Sequence, residues 1–200
     1  MGEQETIDRA GSVPADGQRP PHERIVATAR VLFCRDGIHA TGIDRILADA
    51  GASKMTLYAR FGSKEGLVRA VLEQEGLEWR QHFFAAIATA TEPRERLHRI
   101  VPALADWFRG ESFYGCAYMN AVAEHTKGER WLRELAAAHH AAILGFLTAE
   151  ATAAGYAEPA LLARQLLLLI DGMIAAYMVS GDDGVLAVAE RNLRAILAQG

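Results

Sequence analysis

The stretch that decides the fold is Ile46-Leu47-Ala48-Asp49-Ala50-Gly51-Ala52-Ser53-Lys54-Met55-Thr56-Leu57-Tyr58-Ala59-Arg60-Phe61-Gly62-Ser63-Lys64-Glu65. Upstream, Ile43, Ile46, Leu47 and Ala50 fall on one side of a helix, and Gly51 is placed to end it. Only Gly51-Ala52-Ser53 separates that helix from a short one, which Ser53 caps and which runs to about Arg60. Leu57 and Phe61, four apart, are its inward anchors. After Gly62, Ser63 caps a further helix carrying Leu67, Val71 and Leu72. On the near side, Thr41 is expected to cap the helix at Ile43, with Asp44 completing a capping box. Before it, Ile25, Ala29, Leu32 and Phe33 form the stripe of a helix from about His22 to Arg35, stopped by Gly37.

A helix, a glycine turn and a short helix make the layout of a helix-turn-helix. Its physics suits nucleic acid, because the capped N-terminus of the second helix presents free backbone N–H groups and the positive end of the dipole. Ser53, Lys54, Met55 and Thr56 occupy the turn that would enter a major groove. With Leu57 and Phe61 inward, Thr56, Tyr58 and Arg60 face outward, and Lys64 adds a second capped terminus for the phosphate backbone.

On these residues, from Arg24 to Leu72, the chain resembles the DNA-binding domain of the TetR family of transcriptional regulators. More loosely, Gly115-Cys116-Ala117-Tyr118-Met119-Asn120-Ala121 and Leu166-Leu167-Leu168-Leu169-Ile170-Asp171-Gly172 are similar to the regulatory domain of one TetR subgroup. The resemblance implies an Ω-shaped homodimer that represses transcription until a small, apolar molecule binds among the C-terminal helices. It implies phosphate contacts from Thr41, Ser53, Thr56, Tyr58 and Lys64, and base-edge contacts from Lys54, Met55 and Arg45. Three positions depart from the usual pattern: Ala52 stands where Val is common, Met55 where a small residue is common, and Arg60 where His is usual. Met55 offers apolar contact to a thymine methyl, and Arg60 another phosphate contact. These departures bear on which operator is read.

Outward from this segment, the chain has 200 residues, half of them apolar and 23% charged, a globular balance. The net charge of −4 is unevenly spread. Residues 21–72 hold eight Lys/Arg against five acids, whereas residues 73–200 hold eleven against sixteen. A modestly basic head thus precedes an acidic body. Helical periodicity recurs throughout and strand alternation does not, so the fold expected is all-α with about nine helices. The expected division is a disordered tail over 1–20, a DNA-binding domain over 21–80 and a ligand-binding and dimerisation domain over 81–200. In the last, Thr91-Glu92-Pro93 opens a helix through Phe108, and another spans about Tyr114 to His125. A long helix runs from about Glu129 to Ala154, and Pro159 opens a very apolar one to about Ser180. Asp182 or Asp183 caps the last. The start of the chain has no apolar signal-like run. Arg164, Gln165 and Asp171 interrupt the longest apolar stretch, so a cytoplasmic protein without a membrane partner is expected.

Aromatic and Met residues concentrate between Trp79 and Trp131, and from them a pocket is expected from Phe83, Trp107, Phe108, Tyr114, Tyr118 and Met119. Asn120 and His139 are its polar members, with His125 a further candidate. The helix after Pro159 is apolar on several faces and must hide an outer side. Leu162, Leu166, Leu169, Ile170, Met173, Leu193 and Ile196 are therefore expected at a four-helix dimer interface formed by 159–180 and 183–199 of two copies. Its twofold axis would set two reading heads roughly 34 Å apart, or a multiple of that, on a near-palindromic operator.

Other chemistry has little to stand on. His125, His139 and His140 lie near Glu124 and Glu134, but neighbouring histidines diverge by about 100° on a helix, so no metal and no other cofactor is expected. Cys116 at a helix start is either a redox-sensing thiol or an inert buried one. No nucleophile elbow, P-loop or dinucleotide fingerprint is present, and an enzyme is not expected. A non-catalytic interaction module is the remaining alternative.

Overall fold

A computed structural model describes residues 19–110, 113–125 and 130–198. The expected tail therefore lies outside the described residues up to residue 18, as do Glu129 and the end of the last helix at Gln199. Among the described residues the regular structure is entirely helical. The helices are α1 (Pro21–Asp36), α2 (Ile43–Ala50), α3 (Lys54–Phe61), α4 (Lys64–Ile87), α5 (Pro93–His98), α6 (Ile100–Phe108), α7 (Ala117–Glu124), α8 (Arg130–Ala153), α9 (Pro159–Ser180) and α10 (Gly184–Leu197).

The expected single helix from Pro93 to Phe108 is two. Pro102 has no N–H to give the carbonyl of His98, and its ring crowds that carbonyl, so the chain breaks at Arg99. The Arg99 N–H turns back instead to Arg96 in a tighter bond of 3.0 Å.

Two apolar cores divide the molecule. Ile25, Ile46, Leu57 and Leu67 are fully buried at the centre of the first, bringing α1, α2, α3 and the start of α4 together. Burial of each such side chain stabilises by about 1.5–3 kcal/mol relative to exposure. Tyr118 and Ala121 of α7 and Leu132 of α8 also join this core, so the body supplies part of the packing under the head. The second core lies among α4, α5, α6, α8, α9 and α10, with Leu97, Leu104, Leu147 and Leu166 fully buried. At 24 residues, roughly 36 Å, α4 passes through both.

The apolar helix α9 is long and apolar enough by composition to cross a membrane, but it packs between α8 and α10. That packing corrects part of the expected interface. Leu162, Leu166, Ile170 and Met173 of α9 and Leu193 of α10 are buried inside this chain's own core. Leu169 and Ile196 are half-buried against the same core, and Leu169 also borders the groove that α9 and α10 leave open. The most apolar face of a helix goes to its own core first, and a second face is what remains outside. That outer face carries Leu161, Leu168 and Val179, with Val188 of α10 beside it; Leu168 is 73% exposed. Leu168, Gly172, Ala176 and Val188 line an open groove between the two helices.

Candidate nucleic-acid interface

The local geometry of the reading helix follows from its caps. Ser53 Oγ accepts the Thr56 N–H at 3.2 Å and shares a 3.0 Å hydrogen bond with Thr56 Oγ1, so the first turn of α3 is closed by its own side chains. Gly51 adopts a left-handed conformation (φ 57°, ψ 42°) that a residue with a Cβ rarely takes, and this turns the chain between α2 and α3. Arg24 of α1 locks the joint. Its Nε donates to the Ala50 carbonyl and its Nη2 to the Gly51 carbonyl, each at 2.9 Å. These are end-of-helix acceptors that would otherwise lack partners, so a cation on α1 binds the turn to the rest of the head.

With Leu57 fully buried, the opposite face of α3 is open. Met55 is 80% exposed, Tyr58 is exposed at 48%, and Arg60 and Lys54 are exposed as well. Thr56 is half-buried at the cap. The basic groups are not idle. Lys54 Nζ lies 2.8 Å from Asp44 Oδ1, and that hydrogen bond raises its pKa. Arg45 pairs with Asp36 at 3.0 Å and more distantly with Asp49.

Two expected contacts take other roles. Thr41 is fully buried; its hydroxyl donates to the Gly37 carbonyl at 2.7 Å and also lies within reach of Leu32, so it is turned away from solvent. It also does not cap α2: Gly42 occupies that position and offers no side chain. Lys64 is half-buried, with Nζ donating to the Ile38 carbonyl at 2.6 Å, and burial lowers its pKa. Ser63 does cap α4, accepting the Gly66 N–H at 3.0 Å.

A second candidate site lies in the body, a cleft walled by α4, α6, α7, α8 and α9. Its enclosed part is about 30 Å³, room for a water or two, and with the opening to solvent the space is about 430 Å³. Of the expected pocket, Trp107, Tyr118 and His139 line it. Phe83 and Phe108 do not: both are core residues, stacked on Trp79 and Tyr177 at 4.7 Å. Met119 packs against the body core, while Asn120 donates to the Tyr114 carbonyl at 2.8 Å and so ties a loop. Tyr114 is itself exposed. Sequence reading missed Glu75, Gly76, His140 and Asp171, which do line the cleft. Asp171, alone in an apolar run, was the available signal.

The polar groups of the cleft are paired. Glu75 forms an ion pair with Arg30 of α1. His140 Nε2 is 3.4 Å from Asp171, whose hydrogen bond raises the imidazole pKa. Arg80 donates to His139 Nδ1 at 2.8 Å. Burial, together with the charges of Arg80 and His140, depresses His139 to about 3. Cys116 also lines the cleft, and its thiol pKa is raised: burial outweighs the hydrogen bonds from the Met119 and Tyr118 backbone. The helix start therefore does not yield the stabilised thiolate that a redox sensor requires.

The family model for bacterial regulatory proteins of the TetR family matches residues 25–71, the segment that builds α1 to α3 and the first turns of α4. The likeness extends over the body. A TetR-family transcriptional regulator from Streptomyces coelicolor superposes with a TM-score of 0.82 at 28% identity, over 90% of this chain and 95% of that one. The head is a TetR-family DNA-binding domain. The chain is also 35% identical to the HTH-type transcriptional activator FasR of Mycolicibacterium smegmatis over 116 residues, 54% of this chain and 53% of FasR. It thus spans about half the length of the curated relatives it matches. Its fold is shared as well by the TetR-family regulator CifR, whose cysteine variant was solved on 26-base-pair double-strand operator DNA (TM-score 0.75, 20% identity, 86% of this chain and 94% of that one). These relatives are named as regulators of transcription.

Proposed function

We propose that this protein is a ligand-responsive repressor of the TetR family that grips a near-palindromic operator as a homodimer. The observation that carries this reading is the outward face of α3: a self-capped N-terminus with Lys54, Met55, Tyr58 and Arg60 exposed, braced from behind by Leu57 and Arg24. Ser53, Thr56 and Tyr58 contact phosphates, while Lys54 and Met55 read base edges, with Arg45 entering from α2 and Arg60 holding a flanking phosphate. Lys64 supports the site by fixing the loop before α2 through Ile38. The operator complex of CifR, on the same fold, supports the mode of docking.

The homodimer forms through the outer stripe of α9 and α10, where Leu161, Leu168, Val179 and Val188 are otherwise left in water. Scattered exposed apolar residues need no explanation, but Leu168 and Val188 line one groove between neighbouring helices, and Leu161 and Val179 extend the same stripe of α9. The effector enters the cleft behind Trp107, Tyr118 and His139. The protein works in the cytoplasm.

Cleft and head share structure. Glu75, Gly76 and Trp79 of α4 line the cleft, and the same helix starts at Ser63 beside α3. Glu75 reaches Arg30 of α1, Tyr118 donates to the Leu72 carbonyl at 2.7 Å, and Glu124 at the far end of α7 accepts the His39 N–H at 3.0 Å. Widening the cleft moves α4 and α7, and with them the two heads. A coupling of about 1–3 kcal/mol changes operator affinity 5–150-fold, and operator must weaken effector binding by the same factor. Repression is the reading adopted because occupancy of an operator suffices for it. FasR bears the name of an activator, so a reporter fused to the selected operator decides the sign.

The test is selection of bound sequences from random duplex DNA by the full chain. A near-palindromic consensus bound with steep salt dependence is expected. Absence of any enriched sequence, or an enriched one bound by a monomer, would refute the proposal.

A further inference from the structure

The polar geometry of the cleft points to the chemical class of its ligand, on the reading above that the cleft receives one. We infer that the ligand is a compact, uncharged aromatic compound bearing a hydrogen-bond acceptor oxygen, a ketone or ester carbonyl, and that His139 Nε2–H recognises that oxygen.

The argument starts from Arg80. A guanidinium only donates, so His139 Nδ1, 2.8 Å from Arg80 Nη1, must accept. The ring proton then sits on Nε2, and the imidazole is a single fixed tautomer. Burial and the Arg80 charge keep the ring neutral, so Nε2–H remains a neutral donor throughout the physiological range. His139 lines the cleft, and among the described residues the one hydrogen bond of its ring is that from Arg80 at Nδ1, which leaves Nε2–H for a ligand. The ring cannot swing away. Tyr118 stacks on it with centroids 4.2 Å apart and planes 19° apart, Trp79 flanks it at 5.8 Å, and Tyr118 is itself anchored to the Leu72 carbonyl. One oriented donor in an aromatic slot is the arrangement that discriminates by a hydrogen bond.

Charge on the ligand is disfavoured from both sides. Among the lining residues an anion finds no open cation, because His140 is held by Asp171, and Arg30 behind Glu75 is held by that carboxylate. A cation finds both carboxylates already taken, Glu75 by Arg30 and Asp171 by His140, and meets the charge of Arg80 behind His139. What remains is flat and neutral. The walls of Trp79, Trp107 and Tyr118 supply faces for a ring, and because the enclosed part is only about 30 Å³ the ring lies in the open mouth of the cleft or parts those walls to enter.

The experiment is calorimetric titration of the full chain with four naphthalenes of matched size: 2-acetylnaphthalene, 2-ethylnaphthalene, 2-naphthoate and 2-naphthylmethylammonium. The ketone is expected to bind roughly tenfold more tightly than the hydrocarbon, with both ions weaker than the ketone. In His139→Phe, which keeps a stacking ring without the donor, ketone and hydrocarbon should bind alike. His139→Gln, which keeps an N–H donor, should restore part of the preference. Arg80→Met, which frees the tautomer while leaving the ring in place, should lower it. Tighter binding of either ion, equal binding of ketone and hydrocarbon by the native chain, no binding of the ketone, or a preference that survives His139→Phe would each overturn the inference. The DNA selection is independent of all four compounds, so a regulator whose ligand has other chemistry would be recognised as such.

Discussion

Gly76 offers the sharpest test of how α4 and α7 are joined. A Cβ built there would lie 2.5 Å from Tyr118 Oη and 2.9 Å from His139 Nδ1, closer than carbon tolerates. In an open helix, Gly→Ala stabilises by about 0.8–1 kcal/mol through the backbone. Here the methyl must push Tyr118 aside, an overpacking cost of about 1–3 kcal/mol, and strip the 2.7 Å bond to the Leu72 carbonyl, about 1 kcal/mol more. The net expectation for Gly76→Ala is a loss of about 2 kcal/mol. Gly145 of α8 is the internal control: nothing lies within 4 Å of its Cβ position, so Gly145→Ala should gain about 0.5–1 kcal/mol. Urea unfolding followed by circular dichroism measures both, provided the slope stays constant between variants. A Gly76→Ala chain as stable as the native one would mean that Tyr118 is not wedged against α4, and the route from cleft to head drawn above would fall with it.

Four other outcomes follow from the same geometry. Asp44→Asn should free Lys54 and strengthen binding to duplexes of any sequence several-fold in a gel-shift titration, without moving the unfolding midpoint; unchanged affinity would show that the pair does not compete with DNA. Leu168→Glu should convert the proposed dimer to monomer in sedimentation with the fold intact, whereas Leu166→Ala should cost about 2–5 kcal/mol of stability by opening a core cavity. Arg24→Ala should loosen the joint between α2 and α3, seen as faster amide exchange in α3 and weaker operator binding. Acid should destabilise the protein through His139: with a folded pKa of about 3 against 6.5 unfolded, only the unfolded chain takes the proton between those values. Stability contributed by the neutral ring is complete above pH 6.5 and has dropped by about 2 kcal/mol at pH 5. Comparing native and His139→Gln unfolding at pH 7 and 5 isolates that component, because His140, which shifts the other way, is common to both.

The head was legible because its signals are local. Gly51, Ser53, Gly62 and Ser63 mark helix ends through their own φ angles and hydroxyls, and those boundaries appear within a residue of expectation. Thr41 shows where local reading fails. Its hydroxyl had a choice between the N–H groups ahead and the carbonyls behind, and packing of Ile38 and Leu32 settled it. The cleft was half-legible for a similar reason. Composition locates aromatic residues, but whether Phe83 or Trp79 meets the cleft depends on the rotation of α4 against α7 and α8, which no spacing records. In α9 both faces are leucine-rich, so periodicity could not say that Leu166 turns to its own core and Leu168 away from it.

The carboxylates beside the reading helix carry a consequence for life among bulk nucleic acid. Asp44 and Asp36 sit on Lys54 and Arg45 before any phosphate does. A surface so tempered holds indiscriminate polyanions loosely, leaves them quickly and spends little time stalled on the wrong duplex. If Lys54 and Arg45 meet DNA as proposed, only a site offering groove contacts good enough to displace both acids would retain the protein, and the internal ion pairs would act as a filter for genuine targets.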